Sequence, residues 1–521
     1  MDNTSSSTCL SHEWAATCFN SFTSNRANRI ARNAVTSMDV MAAARDISVM
    51  PTYHDTFGIK LKHTGDITNQ KHSGRCWMFT AFNVLRHETI KFLDVDNFEF
   101  SQAYGMFYDK LEKAHASLEY AIQTADKPLD DRNVMWQLDM VAQDGGYYCY
   151  AMSMIEKWGM VPKDVMPETA CSENSEAMDD QLARLLHKHM LALRTSFAKG
   201  ASAQELAAQK EAAMKEVYQL LAICLGNPPQ TFDFTIEVGK KCKAAKELIS
   251  VIEPQDKEDD EKDEGKKASR SKDDAQADKD EKNEKDEKNE KDEKDEKDER
   301  RLLRDCGLTP LSFMHKYVPI CPTNYVQLVS IPHSQFEFNK VYHVRYNESV
   351  LGGCMPARYL NVPQHVLEQC AIASLKADAP VSMACDVCQE FPRYIDDFKY
   401  VLGLDSVDLS GLFGIDMSMT RSEMLDAQET HLTHAMTFQG VQLDDKGEVQ
   451  AWRVENSWGE DRGKNGYLIM SGPWFKLYGG EVDVKRDVVP AELLSLWDDP
   501  SKDVEVDPWS SMGKTLACPR H

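Results

Sequence analysis

Long apolar runs are missing from these 521 residues. No stretch of about 18 consecutive apolar residues occurs, so a transmembrane helix is not expected. Residues Met1 to Met50 lack a basic start followed by an apolar core, so they do not read as a secretory signal. Arg26, Arg29 and Arg32 give a faint transit-peptide pattern, and Asp2, Glu13 and Asp39 argue against it. Positive net charge is also missing. Sixty Lys and Arg face 84 Asp and Glu, for a formal charge of −24. That disfavours nucleic-acid binding as a bulk property and leaves room only for a local basic channel. The 14 cysteines follow no regular short spacing, so they read as free thiols in a reducing compartment, with a cytoplasmic location expected. Cys385-Asp386-Val387-Cys388 has the CxxC form, but no second pair lies at zinc-finger spacing. It reads as packing, and no metal site or other cofactor is expected.

From about Asp256 to Arg300 the chain is almost entirely Lys, Asp and Glu, without aromatic or branched apolar residues. Burial cannot offset chain entropy there, so the tract reads as a disordered, solvated insertion; an acidic docking tract is the functional alternative. Upstream the pattern is helical. Leu182, Leu185, Leu186, His189 and Leu193 fall on one face of a helix over Met178 to Arg194. Ser202 to Glu205 reads as a capping box opening a second helix, which Gly226 and Pro228-Pro229 end. Downstream, Tyr325–Ile331, Trp452–Val454 and Gly466–Met470 read as strands. A helix-rich first half and a strand-rich second half imply an α+β fold.

The chemistry concentrates in Asn69-Gln70-Lys71-His72-Ser73-Gly74-Arg75-Cys76-Trp77. Cys76 follows a glycine turn and opens an apolar, helix-like run. At a helix N-terminus the macrodipole and unpaired N–H groups favour a thiolate. Gln70 offers an amide that can hold an oxyanion. A thiolate nucleophile needs a base that also protonates the leaving group, the work of histidine near neutral pH. Among 15 histidines, His434 sits in the strand-like run Thr433–Phe438, with His431 as a nearby competitor. Beyond it, Asn456 can orient the imidazole, and Trp458 can shield that contact from water. Gln, Cys-Trp, His and Asn-Ser-Trp-Gly in this order form a specific constellation.

These residues resemble the papain-type cysteine peptidase pattern. More narrowly, the chain is similar to the bleomycin hydrolase family. The matching blocks include Phe98–Gln102, Cys224–Pro229, Thr433–Phe438 and Trp452–Asp461, and the likeness runs from about residue 50 to 513 outside the charged tract. The resemblance implies a papain-like core with helical insertions, divided into an N-terminal extension (1–50), a helix-rich half (51–253), the charged insertion (254–301), a β-rich half (302–505) and a C-terminal arm entering the cleft (506–521). It implies Cys76 as nucleophile, His434 as base and acid, Asn456 as orienter and Gln70 as oxyanion donor. It also implies that Gly145 and Gly146, with Trp458, line the substrate cleft, and Tyr147-Tyr148 replaces the family's usual Gln-Trp pair. The implied activity is aminopeptidase hydrolysis of short peptides, in a homohexameric ring. The arm continues past Ala517 into Cys518-Pro519-Arg520-His521, longer than the family's usual ending. That length leaves a cathepsin-like endopeptidase as one alternative; a nucleic-acid-binding ring is the other.

Overall fold

Fifteen of the 18 residues of the helix Cys76–Leu93 are buried, so this helix is surrounded on nearly every side. An apolar helix of this kind is stable only inside other layers. Helices Gln102–Gln123 and Tyr148–Trp158 cover part of it, and the strand His434–Leu443 crosses another part. Asp94, at φ 57°, ends it in the left-handed conformation. This computed structural model describes residues 9–252 and 300–516. The disorder expected of the charged tract, and the fate of the tail after Ala517, concern residues outside that range. Among the described residues, no helix is long and apolar enough to cross a membrane.

The arrangement is α+β: helices dominate the first half and a large mixed sheet the second. Eleven described strands form that sheet. At its centre, Tyr325–Val329, Gly479–Lys485, Val381–Cys385, His434–Leu443, Val449–Glu455 and Tyr467–Ser471 lie side by side. Their neighbours along this run are all antiparallel. The sheet is covered on both faces, so central strands such as Tyr325–Val329 are buried along their whole length rather than alternating. Val381–Cys385 pairs with both Gly479–Lys485 and His434–Leu443, so it fixes the spacing between them.

A second, three-stranded sheet orders as Phe232–Val238, Arg300–Leu308, Ile249–Ile252. Two of its strands precede the charged tract and one follows it. Arg300 and Arg301, assigned from composition to the insertion, are the first residues of a strand. Ladder pairing with Val238, Val251 and Ile252 outweighs their charge.

The two helices read from the sequence extend over Glu176–Ala198 and Ala203–Leu225. Both halves of the Ser202–Glu205 capping box are formed. Met178, Leu182, Leu186, Met190 and Leu193 make the buried face of the first helix. Met190 therefore takes the inward place expected for His189, which instead pairs with Glu216 at 3.0 Å. Near the N-terminus, His12–Ser24 and Arg26–Val35 are helices that expose Trp14, Phe19 and Ile30.

Candidate active site

Two loops are tied together before the site begins. The Gln70 N–H donates to the Ser457 carbonyl at 2.8 Å, and the Gly459 N–H to the Thr68 carbonyl at 3.1 Å. This lays the segment before Cys76 along Asn456–Gly459. The turn into the helix is then fixed by Asp144, which accepts from the Gly74 N–H at 2.8 Å. A Cβ at position 74 would stand 2.8 Å from the Asp144 Cβ, so glycine allows this approach. Asp144 also accepts from Ser175 Oγ and pairs with the fully buried Lys110 at 2.7 Å. Those partners hold its carboxyl far below the usual carboxylate range despite its burial.

Cys76 is the first residue of its helix, so its N–H is one of the donors a helix leaves without an internal partner. The thiol is buried. Burial pushes its pKa up, and the backbone N–H groups of Ala435 and Trp77 oppose that shift. Desolvation is the largest cause of that shift, and the Asp144 charge adds to it.

His434 supplies the candidate cation. It begins its strand and is buried, and its Nε2–H donates to Asn456 Oδ1 at 2.9 Å. That contact turns the other ring nitrogen, Nδ1, to the opposite side of the ring. The same Asn456 oxygen accepts from the Ser457 N–H at 2.8 Å, which holds the amide in place. Trp458 stacks on the imidazole with centroids 4.8 Å apart and planes 29° from parallel. Cys76 and His434 line one cleft pocket together with Trp77, Gly146 and Tyr147. The competing His431 has its backbone N–H bonded to Asp386, and Asn456 meets His434 instead.

Gln70 is clamped from both ends of its amide. Its Oε1 accepts from Ser457 Oγ at 2.6 Å, and its Nε2 donates to the Ser73 carbonyl at 2.6 Å. An amide nitrogen carries two hydrogens, so one donor remains beyond the Ser73 bond. Gly145 offers its carbonyl to Lys113 Nζ at 2.7 Å. Gly146 lies on the Trp77 indole, where a Cβ would come within 2.5 Å of the ring. Beyond these glycines a second pocket is lined by Tyr120, Trp136, Tyr147, Tyr150 and Tyr346. Tyr147 borders both pockets. Tyr148 is buried and packs on Tyr325, with ring centroids 5.3 Å apart. Trp458 meets the histidine ring on one side and lies under the Arg393 guanidinium, 6.0 Å from its ring centroid. In the CxxC segment, Cys385 is buried and Cys388 exposed, both as free thiols.

Ser457, Asp144, Glu481 and Asp483 have no role assigned from the sequence, whereas the arm carrying Leu516 is expected at the cleft. Ser457 bridges Asn456 and Gln70, and Asp144 fixes the glycine turn. Leu516, the last described residue of the arm, lines the Cys76 pocket, and the Thr515 carbonyl accepts from the Leu432 N–H at 2.8 Å. Glu481 and Asp483 line that pocket as well. The signal for the last two was visible: acidic residues alternate with Val482 and Val484 in a strand placed among buried ones.

Comparison with known proteins gives concordant matches. The profile of the Peptidase C1-like family matches residues 9–252 and 290–513. Aminopeptidase G of Lactobacillus delbrueckii subsp. lactis is 33% identical over 497 residues, covering 94% of this chain and 96% of that protein. Aminopeptidase C of Streptococcus thermophilus is 32% identical over 507 residues, with 97% and 99% covered. The crystal structure of PepW from Lactobacillus rhamnosis superposes with a TM-score of 0.82 at 31% identity, covering 98% of this chain and 99% of that one.

Proposed function

The chain belongs to the Peptidase C1-like family and is a papain-type cysteine aminopeptidase, and from that premise we propose how its own residues carry the reaction. Cys76 is the nucleophile and His434 its proton partner. Transfer of the thiol proton to the imidazole gives a thiolate–imidazolium pair, which offsets the desolvation that otherwise keeps the sulfur protonated. The thiolate attacks the scissile carbonyl. The second Gln70 amide hydrogen and the Cys76 N–H receive the oxyanion. His434 then protonates the departing amine, and water activated by the same ring releases the acyl-enzyme. Asn456 orients the ring, and Trp458 keeps water from that hydrogen bond. The observation that carries this reading is the meeting of Cys76 and a His434–Asn456 pair in one cleft.

More narrowly, we read the enzyme as bleomycin hydrolase-like, acting on short peptides with a free amino terminus. Leu516 in the pocket supports this, because an arm lying in the cleft blocks the path of a longer chain. An endopeptidase would need that path open. The apolar residues exposed on the first two helices, Trp14, Phe19 and Ile30, support burial between copies in a homohexamer. Free thiols, including buried Cys149, Cys370 and Cys385, support a cytoplasmic location.

Turnover of a free-amine aminoacyl-coumarin and of its N-acetylated counterpart tests these readings. Cys76→Ala is expected to abolish hydrolysis with its melting temperature kept. Residual Cys76→Ala activity would remove the nucleophile assignment. Faster cleavage of the blocked substrate would favour the endopeptidase.

A further inference from the structure

The lining of the Cys76 pocket includes two acids that the reaction above does not use. Strand alternation puts Glu481 and Asp483 on the same face of Gly479–Lys485. Pairing sets Glu481 opposite Ala384, and Ala384 opposite Ala435 on the His434 strand. Asp483 stands opposite Ser382. The intervening side chains are therefore small, and the acids border the same cavity as Cys76, His434 and Leu516. At ordinary strand spacing, Glu481 lies two strands, or about 10 Å, from the Ala435 backbone.

Both acids are buried, at 5% and 3% exposure. Neither forms an ion pair with a described residue. Asp483 Oδ2 accepts from Ser382 Oγ at 2.7 Å, while Oδ1 has no hydrogen-bond partner. The titratable groups facing them are Tyr148 and Cys149 from the helix Tyr148–Trp158 and Tyr325 and Tyr359 from neighbouring strands, with Cys76 and His434 lining the same pocket; of these only the His434 imidazole can become cationic. Burial raises the carboxyls of both Glu481 and Asp483 above their ordinary values, that of Asp483 further beside Glu481. Two buried carboxyls without a countercharge are costly in a pure packing role. Lining the cleft and held protonated by burial, they are poised to ionise when a cation enters.

We propose that Glu481 and Asp483 form a specificity subsite that receives a substrate cation, an ammonium or guanidinium, beside the scissile bond. This rests on the peptidase reading above. The cation can come from a lysyl or arginyl side chain or from the amino terminus itself, and both present the same charged hydrogen-bond donors. Entry of either cation ionises the acids and fills the open valence of Asp483 Oδ1.

The test measures kcat/KM for arginyl-, citrullinyl-, lysyl- and norleucyl-coumarin with the unmodified enzyme, Glu481→Gln and Asp483→Asn. Citrulline and norleucine keep the side-chain length without its charge. With a side-chain source, the arginyl-to-citrullinyl ratio is at least about tenfold and falls toward one in both variants. With an amino-terminal source, all four substrates lose about tenfold together, mainly in KM. In the unmodified enzyme, an arginyl preference also grows as pH rises through neutrality, because the ionised acids bind the cation. That measurement stands if a variant fails to fold. A ratio near one at every pH, with variants within twofold on all four substrates, would overturn the subsite. Loss of the peptidase reading would look different: turnover of all four substrates would survive Cys76→Ala.

Discussion

Removing the Asn456 side chain isolates what the orienting contact contributes. His434 and Asn456 are 5% and 3% exposed, and one bond of 2.9 Å joins them. During the reaction the donor becomes an imidazolium, so the bond is charge-assisted. Such bonds contribute about 1.5–3 kcal/mol. At about 1.4 kcal/mol per tenfold, Asn456→Ala is expected to lower kcat/KM by about 10- to 150-fold. Trp458 still stacks on the ring, so the histidine is loosened rather than lost, which favours the lower part of that range. The sign of a second effect follows. Losing an acceptor destabilises the protonated ring, so its pKa falls and the alkaline limb of the pH–rate profile moves to lower pH. The assay is kcat/KM for a free-amine coumarin substrate across pH, with a thermal melt as the folding control. Asn456→Ala activity within twofold of the unmodified enzyme, on an unshifted profile, would refute the orienting role.

Gly146→Ala is expected to cost at least about tenfold in kcat/KM, because the new methyl collides with the Trp77 ring beside the pocket; wild-type kinetics would mean that the loop moves freely. Arg86 is buried and pairs with Glu455, whose carboxyl burial raises to about 7. Arg86→Met leaves that acid with Gln439 and the nearby Arg453 only, and should destabilise by up to about 3–5 kcal/mol. A carboxyl raised in the fold favours the folded state at low pH and loses that contribution as pH rises from its unfolded value to about 7. The Arg86→Met deficit should therefore be larger at pH 8 than at pH 5, and equal deficits in urea melts would contradict this. Deleting the arm from Gly513 onward should raise cleavage of N-acetylated substrates relative to free-amine ones; an unchanged ratio would show that the arm does not select the amino terminus.

Local signals accounted for much of the architecture. The capping box at Ser202 is formed as written, because its partners lie three residues apart. Cys76 opens its helix as the glycine turn implied. Strands at Tyr325–Val329 and Val449–Glu455 followed from β-branched and aromatic content. What stayed hidden depended on distant partners. Arg300 and Arg301 look like the charged tract that precedes them, and ladder pairing across the tract makes them strand. The thiol at position 76 has a helix terminus in its sequence, but its burial comes from elements hundreds of residues away. Ser457 carries no local sign of its role, since its partner Gln70 is 387 positions earlier. The acids at 481 and 483 alternate with valines in the sequence, but the pocket they border is assembled from six separate stretches of chain.

The small sheet has a bearing on how this chain can vary. Its antiparallel ladder joins Ile252 to Arg300, so the polymer between them begins and ends at neighbouring points. Once such a closure exists, doubling the enclosed length costs only about 0.6 kcal/mol. By that scaling, a change in the length of the Lys/Asp/Glu repeat is expected to alter stability by under about 1 kcal/mol.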